Sequence, residues 1–371
     1  MHIILLEPFF AGSHAAWASG YQEHSHHRID ILPLSGHHWK WRMHGGAVTL
    51  ARRFLDSGAQ PDLLLATDML DVTTFLALTR HRTARVPVAL YFHENQIGYP
   101  RSPLDPDTPL RRDHHYGFIN YSSALAADAV LFNSRYHRDS FLEALPLFLE
   151  QFPDHREPGA AATIAAKSRV LPLGIDLAGL ETTPPTRPSD APALILWNHR
   201  WEHDKNPEVF FRALYRLDAQ GLDFQVAVLG RHHRGPNPVF ETARSRLAGR
   251  IVHFGYVEHD TAYADWLHRA DLLPVTSQQD FFGISLVEAL YCGCYPLLPK
   301  RLTYPELVPI EKYPEVFYEN EDALIEKLSA AVRDIEAIRR RSFRRCVQGY
   351  DWRTMAPIYD TVLETIGQRG G

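Results

Sequence analysis

The sequence alternates short aliphatic runs with segments of helical period, and it does so in two series. This alternation is typical of βαβ units wound around a parallel sheet. In the first series, the predicted strands are 3–6, 29–34, 63–67, 88–93, 129–133 and 169–171, and the predicted helices are 15–24, 47–57, 73–81, 118–127 and 135–149. In the second series, the predicted strands are 194–197, 224–229, 251–254, 272–275 and 295–298, and the predicted helices are 209–219, 261–269, 284–291, 323–340 and 353–366. The chain is therefore predicted to form two doubly wound α/β domains that face each other across a cleft.

A proline-rich polar run, residues 181–192, separates the two series. Such a run continues neither a helix nor a sheet and is typical of an interdomain linker. A chain of 371 residues also exceeds what one hydrophobic core usually supports. We therefore assign residues 1–180 to a first Rossmann-like domain and 193–350 to a second, with 351–371 as a C-terminal helix that can pack back on the first domain.

Composition narrows the class of protein. With 45% apolar and 22% charged residues, the chain is typical of globular proteins. A net charge of −5 gives no general attraction to phosphate, so contact with a nucleic acid would need a local basic patch. The three cysteines, Cys292, Cys294 and Cys346, lack disulfide or zinc spacing. We expect a cytoplasmic protein with no leader and no membrane contact, because no apolar stretch approaches the roughly 18 residues of a spanning helix.

Several common motifs are absent from the sequence. It has no Gly-x-Gly-x-x-Gly, no P-loop ending and no Gly-x-Ser-x-Gly elbow, which argues against a nicotinamide enzyme, an ATPase and an esterase. The 21 histidines show no metal-ligand spacing. Asp105 and Asp107 resemble a metal-binding Asp-x-Asp pair, but they stand in a proline-rich loop rather than at a strand end. We therefore predict no metal site.

Two acids flank the start of a predicted helix in the second domain. Asp280 precedes this helix, and Glu288 lies about one turn inside it. Free backbone N–H groups at a helix start bind anions or hydroxyls, and carboxylates accept hydrogen bonds from vicinal hydroxyls. The pair could thus hold a sugar and a ribose together. The plain alternative is a helix start whose acids favour the helix dipole.

Two cations follow the first strand of the second domain. Arg200 and Lys205 belong to residues 198–207, a segment that connects a strand to a helix. Ligands of parallel sheets bind beyond the carboxyl ends of the strands, and such cations could hold a diphosphate and stabilise it as a leaving group without a metal. A solvated loop of mixed charge is the alternative.

The first domain offers polar residues in the loops after its first and fourth strands. We predict that residues 7–14 form the first loop, in which Gly12 lets backbone approach a phosphate or sugar closely. His93 ends the fourth strand, where it could hydrogen-bond a reacting sugar, and Glu94, Asn95 and Gln96 follow it. A structural histidine ring is the alternative reading of His93.

Four strings of the chain resemble known glycosyltransferases. They are residues 5–14 (LLEPFFAGSH), 38–43 (HWKWRM), 91–96 (YFHENQ) and 281–296. The chain resembles the GT-B retaining glycosyltransferases, the large family that includes glycogen synthase-like and phosphatidylinositol mannosyltransferases. The Trp-Lys-Trp-Arg and His-Glu-Asn-Gln strings resemble the tRNA-queuosine α-mannosyltransferase group in particular. The resemblance extends from Ile3 to about Leu307.

This resemblance implies GDP-mannose as donor, the cyclopentenediol of queuosine in a tRNA anticodon as acceptor, and retention of the anomeric configuration. It implies no cofactor beyond the nucleotide sugar, with the first domain on the acceptor side and the second binding the donor. The residues predicted to act in the reaction are His93, Arg200, Lys205, Asp280 and Glu288. Those predicted to bind the donor are Gly12, Ser13, Asn198, Arg200, Lys205, Phe282, Gly283, Ile284 and Glu288. Glutamate is usual in the family where this chain has Asp280.

The acceptor side is predicted from aromatic and basic residues of the first domain. The residues assigned to acceptor or RNA contact are Trp39, Lys40, Trp41, Arg42, Glu94, Asn95 and Gln96. Aromatic faces could stack a splayed anticodon base, and cations could meet phosphates. Further candidates for these two tasks are Phe10, Tyr99, Arg52, Arg53, Arg111 and Arg112. The alternative is that Trp39 and Trp41 only pack the first domain.

Other functions remain open at this point. A GT-B hexosyltransferase could act on a lipid or a cell-surface glycan, although the sequence contains no convincing basic amphipathic helix. A non-catalytic protein that binds nucleotide sugars or RNA would share the fold, as would an epimerase that turns over donor without acceptor. The residues alone decide neither the donor base, nor the tRNA, nor the oligomeric state.

Overall fold

A computed structural model describes residues 1–99, 114–182, 188, 190–231 and 237–368. The chain forms two compact units, Met1–Ile175 with Tyr350–Gly371, and Asp176–Gly349. Each unit is built around a sheet whose paired strands all run parallel. The prediction of two parallel α/β domains is therefore confirmed. Several predicted features lie outside the described residues, namely Asp105, Asp107, Arg111, Arg112 and part of the linker.

The first unit contains six strands in the order β2-β1-β3-β4-β5-β6. Their bounds are β1 His2–Phe10, β2 Arg28–Ser35, β3 Leu63–Thr67, β4 Val88–Phe92, β5 Ala129–Phe132 and β6 Ser168–Val170. Strands β3, β4 and β5 are buried along their whole length, as parallel strands covered on both faces must be. Six helices follow these strands: α1 Gly12–His24, α2 Trp39–Ser57, α3 Val72–Thr83, α4 His114–Ala126, α5 Arg135–Leu149 and α6 Ala160–Ala166.

The second unit repeats this plan with the strand order β12-β11-β10-β7-β8-β9. Its strands are β7 Ala193–Trp197, β8 Phe224–Leu229, β9 Ile251–Gly255, β10 Leu272–Pro274, β11 Tyr295–Pro299 and β12 Phe317–Tyr318. Its helices are α7 Pro207–Ala219, α8 Pro238–Arg246, α9 Asp260–Arg269, α10 Ile284–Tyr291, α11 Tyr304–Leu307, α12 Glu321–Arg333, α13 Ile335–Arg339 and α14 Arg344–Val347. No helix in the described ranges is both long and apolar enough to cross a membrane.

The strand order places a topological switch point in each sheet. The chain leaves β1 for β2 on one side and then returns to β3 on the other, and it does the same from β7 to β8 and later to β10. Ligands of open parallel sheets bind where the strand order reverses, outside the carboxyl ends of the strands. A ligand-binding site is thus expected at the loops after β1 and β3 in the first sheet and at those after β7 and β10 in the second.

The last helix, α15 Trp352–Gly367, belongs to the first unit. The Trp17 indole donates to Tyr359 Oη at 3.0 Å, and Tyr21 Oη donates to Asp360 Oδ1 at 2.8 Å. Trp352 is buried against Gly20 and Gly174, where a Cβ would lie only 2.1 Å and 2.3 Å from the indole. Two glycines therefore make the space in which this helix is anchored.

Two predicted boundaries in the first unit are wrong. Residues 7–14 are not one loop, because β1 continues to Phe10 and α1 begins at Gly12. Beyond Leu6, β1 no longer pairs with β3 and pairs only with β2, where the register shifts between Glu7 and Phe10. Pro8, which has no N–H to donate, therefore lies where no hydrogen bonds to β3 are needed. Helix α2 begins at Trp39 rather than 47. Within it, Gly46 packs closely on Pro8, where a Cβ would lie 3.2 Å from the proline ring.

A third boundary is wrong in the second unit. The predicted helix 323–340 is two helices, α12 and α13, which part at Asp334. Asp334 has φ −115° and ψ 46°, outside helical geometry. The helical period of the sequence runs through this break because both pieces have the same spacing of apolar residues.

Candidate functional site

The loops after β7 and β10 are tied together at the switch point of the second sheet. The backbone N–H of Gln278 donates to the carbonyl of Asp204 at 2.7 Å, and Thr276 Oγ1 donates to the carbonyl of Lys205 at 2.8 Å. Thr276 is fully buried. These bonds set Lys205 and Asp280, from two separate stretches of sequence, side by side.

Lys205 is a nearly buried cation, with 9% of its side chain exposed. Its Nζ lies 3.3 Å from Asp280 Oδ1 and 3.4 Å from Asp204 Oδ2, and it donates to the carbonyl of Gln279 at 2.8 Å. Burying an ammonium requires such partners, because desolvation otherwise disfavours the charge. The ammonium is thus held at a fixed place at the sheet edge.

Asp280 has partners on both of its carboxylate oxygens. Oδ1 faces Lys205, and Oδ2 accepts a hydrogen bond from Tyr304 Oη at 2.9 Å. The side chain remains 17% exposed. Asp280 is therefore oriented by two residues and still reachable by a ligand.

Arg200 stands in a different environment from Lys205. Its side chain is 53% exposed, and Nη1 lies 3.5 Å from Glu202 Oε2. An exposed ion pair of this kind contributes little stability. The two predicted diphosphate cations thus consist of one nearly buried and one half-exposed group.

Helix α10 begins where the sequence predicted, directly after Gly283. Gly283 has φ +89°, a conformation that glycine adopts readily, while the buried rings of Phe281 and Phe282 anchor the preceding turn. Glu288 follows in the helix, and its Oε2 accepts a hydrogen bond from Tyr263 Oη at 2.7 Å. Burial raises the pKa of Glu288 to about 7, although the bond from Tyr263 opposes this rise.

Asn198 and His199 connect the end of β7 to the start of α10. Asn198 Nδ2 donates to the Ser285 carbonyl at 2.8 Å, and His199 Nδ1 lies 2.8 Å from Ser285 Oγ. Burial, with the nearby charge of Lys205, lowers the pKa of His199 to about 4, so its ring is neutral.

Several buried polar atoms in the loops after β7 and β10 have no hydrogen-bond partner among the described residues. Among them are Asn198 Oδ1, His199 Nε2 and Gln279 Nε2. Buried polar atoms in folded proteins are nearly always paired. A ligand rich in hydroxyl and phosphate groups, bound at this edge, could supply the missing partners.

The first unit brings a second set of polar residues to its own switch point. Glu7 Oε2 lies 3.1 Å from His14 Nδ1, and the His14 ring lies 4.2 Å from that of His93. Burial alone would lower the pKa of His14, but the charge of Glu7 and its hydrogen bond raise it to about 9. Burial, with the neighbouring His14, keeps the pKa of His93 well below 6.5. The pair is thus an imidazolium against a neutral ring, with the ring planes tilted by 38°. His93 Nε2 is buried with no partner in the described part of the chain.

Two groups of side chains have the types of atoms that bind metals. The ligand atoms of Glu7, His14 and His93 lie within 4.8 Å of one another, as do those of His26, His27 and Glu364. In the first group, Glu7 Oε1 also accepts the Phe9 N–H at 2.8 Å. A metal bound there would have to displace the proton that His14 shares with Glu7.

Gly12 and Ser13 begin helix α1 and are exposed. Gly12 has φ +51°, and no atom lies within 4 Å of the place a Cβ would take. The backbone at this helix start is therefore open to an approaching ligand, as the sequence predicts for a donor contact.

The predicted acceptor residues separate into packed and exposed ones. Trp39 packs its ring 5.1 Å from that of Tyr116, and Lys40 Nζ lies 5.6 Å from the Trp39 ring centre. Trp41 is 63% exposed, whereas Arg42 bonds to the carbonyl and the hydroxyl of Ser35. Packing in the first domain thus accounts for Trp39, while Trp41 presents a free aromatic face.

The His-Glu-Asn-Gln string forms a turn after β4. Asn95 is fully buried, and its Oδ1 accepts the N–H groups of Ile97 and Gly98 at 3.1 Å and 2.7 Å. Gln96 Nε2 donates to Glu94 Oε1 at 3.0 Å. The Asn95 oxygen thus shapes the turn, and Glu94 and Gln96 remain partly exposed.

Comparison with known proteins identifies the family. The family model described as tRNA-queuosine alpha-mannosyltransferase N-terminal matches residues 2–175, and that of glycosyl transferases group 1 matches residues 182–345. The tRNA-queuosine alpha-mannosyltransferase of Drosophila melanogaster is 33% identical over 338 residues, which cover 88% of this chain and 86% of the relative. The chain belongs to the tRNA-queuosine alpha-mannosyltransferase family. The family resemblance of its sequence strings is thereby confirmed.

Solved structures show the fold of this tRNA-queuosine alpha-mannosyltransferase family member. HepE of Anabaena in complex with UDP and glucose has a TM-score of 0.66 at 15% identity, over 98% of this chain and 100% of that one. Sucrose-phosphate synthase from Thermosynechococcus elongatus has a TM-score of 0.69 at 14% identity, over 100% of both chains. The predicted GT-B fold is confirmed.

Sequence reasoning missed Tyr263 and Tyr304, the two phenols that hold the predicted acids of this family member. Tyr263 precedes Glu288 by 25 positions, and Tyr304 follows Asp280 by 24. Neither tyrosine belongs to a motif or stands at a strand end. His199 could have been found, because it lies between two predicted donor residues, Asn198 and Arg200.

Proposed function

We propose that this protein transfers mannose from GDP-mannose to the cyclopentenediol of queuosine in a tRNA anticodon, with retention of the anomeric configuration. Membership of the family supports the sugar and the acceptor. The buried pair of Lys205 and Asp280 at the switch point of the second sheet is the observation that supports a nucleotide-sugar donor. Since queuosine is part of tRNA, we expect the protein to act in the cytoplasm.

The donor's diphosphate is assigned to Lys205 and Arg200. A fixed ammonium is preorganised for the negative charge that develops on the leaving GDP, and preorganised charges stabilise a transition state most effectively. Arg200, half-exposed, can close on the outer phosphate oxygens with two parallel hydrogen bonds. We propose that these two cations replace a metal ion in this step.

The sugars of the donor are assigned to the two acids and to the start of α10. Asp280 accepts hydrogen bonds from mannose hydroxyls, and Glu288 accepts those of the ribose. Asn198 and the backbone of Phe282, Gly283 and Ile284 complete the donor contacts. Such paired acceptor oxygens suit vicinal hydroxyl groups.

The first unit is assigned to the reacting sugar and the acceptor. His93, neutral and with a buried Nε2, offers a hydrogen bond to a mannose hydroxyl, while Gly12 and Ser13 offer backbone N–H groups. Trp41 offers the stacking face for an anticodon base. The partly exposed Lys40, Arg42, Glu94 and Gln96 supply polar contacts to the RNA.

In the deciding experiment, the protein is incubated with GDP-mannose and tRNA that contains queuosine, and the molecular masses of the digested nucleosides are then measured. We expect a hexose-sized gain on queuosine, and none with tRNA that lacks queuosine. UDP-glucose serves as the alternative donor. Donor turnover without any tRNA would favour an epimerase or hydrolase, and donor binding without turnover would favour a non-catalytic protein. Transfer to a lipid or glycan but not to tRNA would overturn the acceptor assignment.

A further inference from the structure

Glu288 is held by residues from two other elements of the second unit. Tyr263 on α9 donates its phenol proton to Glu288 Oε2 at 2.7 Å. Asn198, after β7, donates to the Ser285 carbonyl at 2.8 Å and approaches Tyr263 Oη at 3.4 Å. Tyr263, which contacts the carboxylate, lies 25 positions before Glu288 in the sequence, and Asn198, which contacts Tyr263, lies 90 positions before it.

Toward an ionised Glu288, the phenol of Tyr263 acts as the hydrogen-bond donor. Burial, with Glu288 beside it, raises its pKa well above the ordinary value, so the phenol keeps its proton. No lysine or arginine of the described residues forms an ion pair with Glu288. A desolvated carboxylate without a cation relies on such neutral donors to stay ionised.

We propose that Tyr263 is the positioning residue of Glu288: its phenol holds Oε2 and leaves Oε1 to accept the ribose hydroxyls of a nucleoside diphosphate. The inference rests on the proposed function, because it takes Glu288 as the ribose acid. It adds a residue that is no part of the Asp280–Glu288 motif. Tyr263 acts through Glu288 and needs no contact with the donor.

The titration of Glu288 makes this role measurable. Burial raises its pKa to about 7, the Tyr263 bond lowers it, and the Asp260 carboxylate raises it. Cys292 also faces Glu288, but burial raises the pKa of its thiol to about 12, so this neighbour is neutral. An ionised Glu288 accepts two hydroxyl hydrogen bonds, and this form is lost as the pH falls through its pKa. Removing the phenol takes away the bond that favours ionisation, so the pKa rises further.

The test measures the dissociation constant of GDP from the full chain by calorimetry between pH 6 and 9. In the wild type, affinity should fall on the acidic side of about pH 7. In Tyr263→Phe, this acidic limb should move upward by about one pH unit, the shift that one lost hydrogen bond of ordinary strength causes. At pH 9, the two proteins should bind GDP alike within about threefold, since most of Glu288 is then ionised in both.

Two companion variants separate positioning from a structural effect. Because a glutamine cannot titrate, the GDP affinity of Glu288→Gln should show no fall at acidic pH. Adding Tyr263→Phe to this variant should change its GDP affinity no further. Tyr215→Phe, on α7 with its ring against Arg246, should match the wild type. GDP's own protonation is common to all these proteins and cancels in the comparison.

The outcomes distinguish this inference from the proposed function. If wild-type protein does not bind GDP, the donor assignment fails and the inference falls with it. If GDP binds but the limb of Tyr263→Phe stays in place, or affinity drops equally at every pH, Tyr263 is not the positioning residue while the donor assignment stands. A melting temperature for Tyr263→Phe confirms that the folded protein is what is measured.

Discussion

Lys205 is the residue on which the proposed donor site depends most. It is held by Asp280, Asp204 and the carbonyl of Gln279, so its ammonium is already in place before a ligand arrives. The partner carboxylates would repel a diphosphate on their own. The cation therefore both stabilises the acids and offsets their charge toward an anionic donor.

Replacing Lys205 by methionine should lower kcat/KM for GDP-mannose by about 10 to 150-fold, the loss of one charge-assisted hydrogen bond to the leaving group. The measurement is the initial rate of mannose transfer at subsaturating donor. Lys327→Met, on α12, removes a lysine that bonds the Glu315 carbonyl, and it should leave the rate unchanged. Equal rates for wild type and Lys205→Met would remove this residue from the reaction.

His14 gives the first unit a pH-dependent contribution to stability. Its pKa is about 9 in the folded chain, against 6.5 for a free histidine, because Glu7 stabilises the imidazolium despite burial. The folded state thus binds this proton more tightly than the unfolded state does. The resulting stability is complete below pH 6.5 and is lost as the pH rises through 9.

The free energy of unfolding of the wild type should therefore exceed that of His14→Gln at pH 6, by up to about 3 kcal/mol, and the excess should vanish near pH 10. Denaturant unfolding at several pH values measures it. The buried Asp68, whose pKa burial raises to about 8 against the charge of His14, also titrates in this range and is coupled to His14. The difference between the two proteins therefore reports the linked titration of both groups. His81→Gln, at an exposed position of α3, is the control and should show no such excess.

Among the elements, α15 shows how a distant segment completes the first unit. Ile175 and Asp351 form a parallel bridge, and the Trp352 N–H donates to the Ile175 carbonyl at 3.1 Å. Trp352 then fills the space beside Gly20 and Gly174. The helix is held by backbone pairing at its start and by aromatic packing along its length.

Gly174→Ala should therefore destabilise the first unit, because its Cβ would lie 2.3 Å from a buried indole that has no room to move. Overpacking of this kind costs about 1–3 kcal/mol, or a fall of about 3–10 °C in melting temperature. Gly159→Ala, where no atom lies within 4 Å of the added Cβ, is the matched control. Similar melting temperatures for both variants would show that the structure around Trp352 accommodates the added methyl group.

At the scale of the whole molecule, the proposed function requires a chain of net charge −5 to bind an anionic RNA. A net negative charge gives no general electrostatic attraction to RNA. Affinity for tRNA must therefore come from a local surface that combines aromatic stacking on bases with a few cations. Helix α2 combines these in the first unit, with the exposed Trp41, Arg52 and Arg53. Gly45 contributes by letting the Trp41 ring lie along the helix, since a Cβ there would stand 2.8 Å from the indole.

Trp41→Ala should weaken binding of queuosine tRNA by about 5 to 150-fold, the range expected for one lost base stack. Because no charge is removed, the dependence of affinity on salt should be unchanged. Leu147→Ala is the control, since Leu147 is 65% exposed in the same unit. If both variants bind tRNA alike, Trp41 is not a stacking platform.

Replacing Lys40 and Arg42 together by glutamine should lower the slope of log affinity against log salt by about 1 to 2. Binding of GDP-mannose without tRNA should be unaffected by this change. The double variant Lys327→Gln, Arg333→Gln on α12 of the second unit removes equal charge and should keep the wild-type slope. An unchanged slope in the first variant would argue against phosphate contacts by these two residues.

The sequence by itself determined the two parallel sheets and the polar loops at their edges. Strands such as β8 and helices such as α5 were predicted with their observed bounds, because continuous apolar runs and helical periods are local properties. The positions of Lys205 and Asp280 followed for the same reason, since the ends of strands can be read from the chain.

Only the tertiary structure decided which side chains hold these residues. Tyr263, Tyr304 and Trp352 reach their partners from helices far away in sequence, and a periodic pattern carries no information about which helix a neighbour faces. The tertiary structure likewise decided that β1 continues past Pro8, because β3 stops pairing with β1 at Leu6. Hydrophobic patterning is a property of one segment, whereas orientation of a polar group is set by packing between segments.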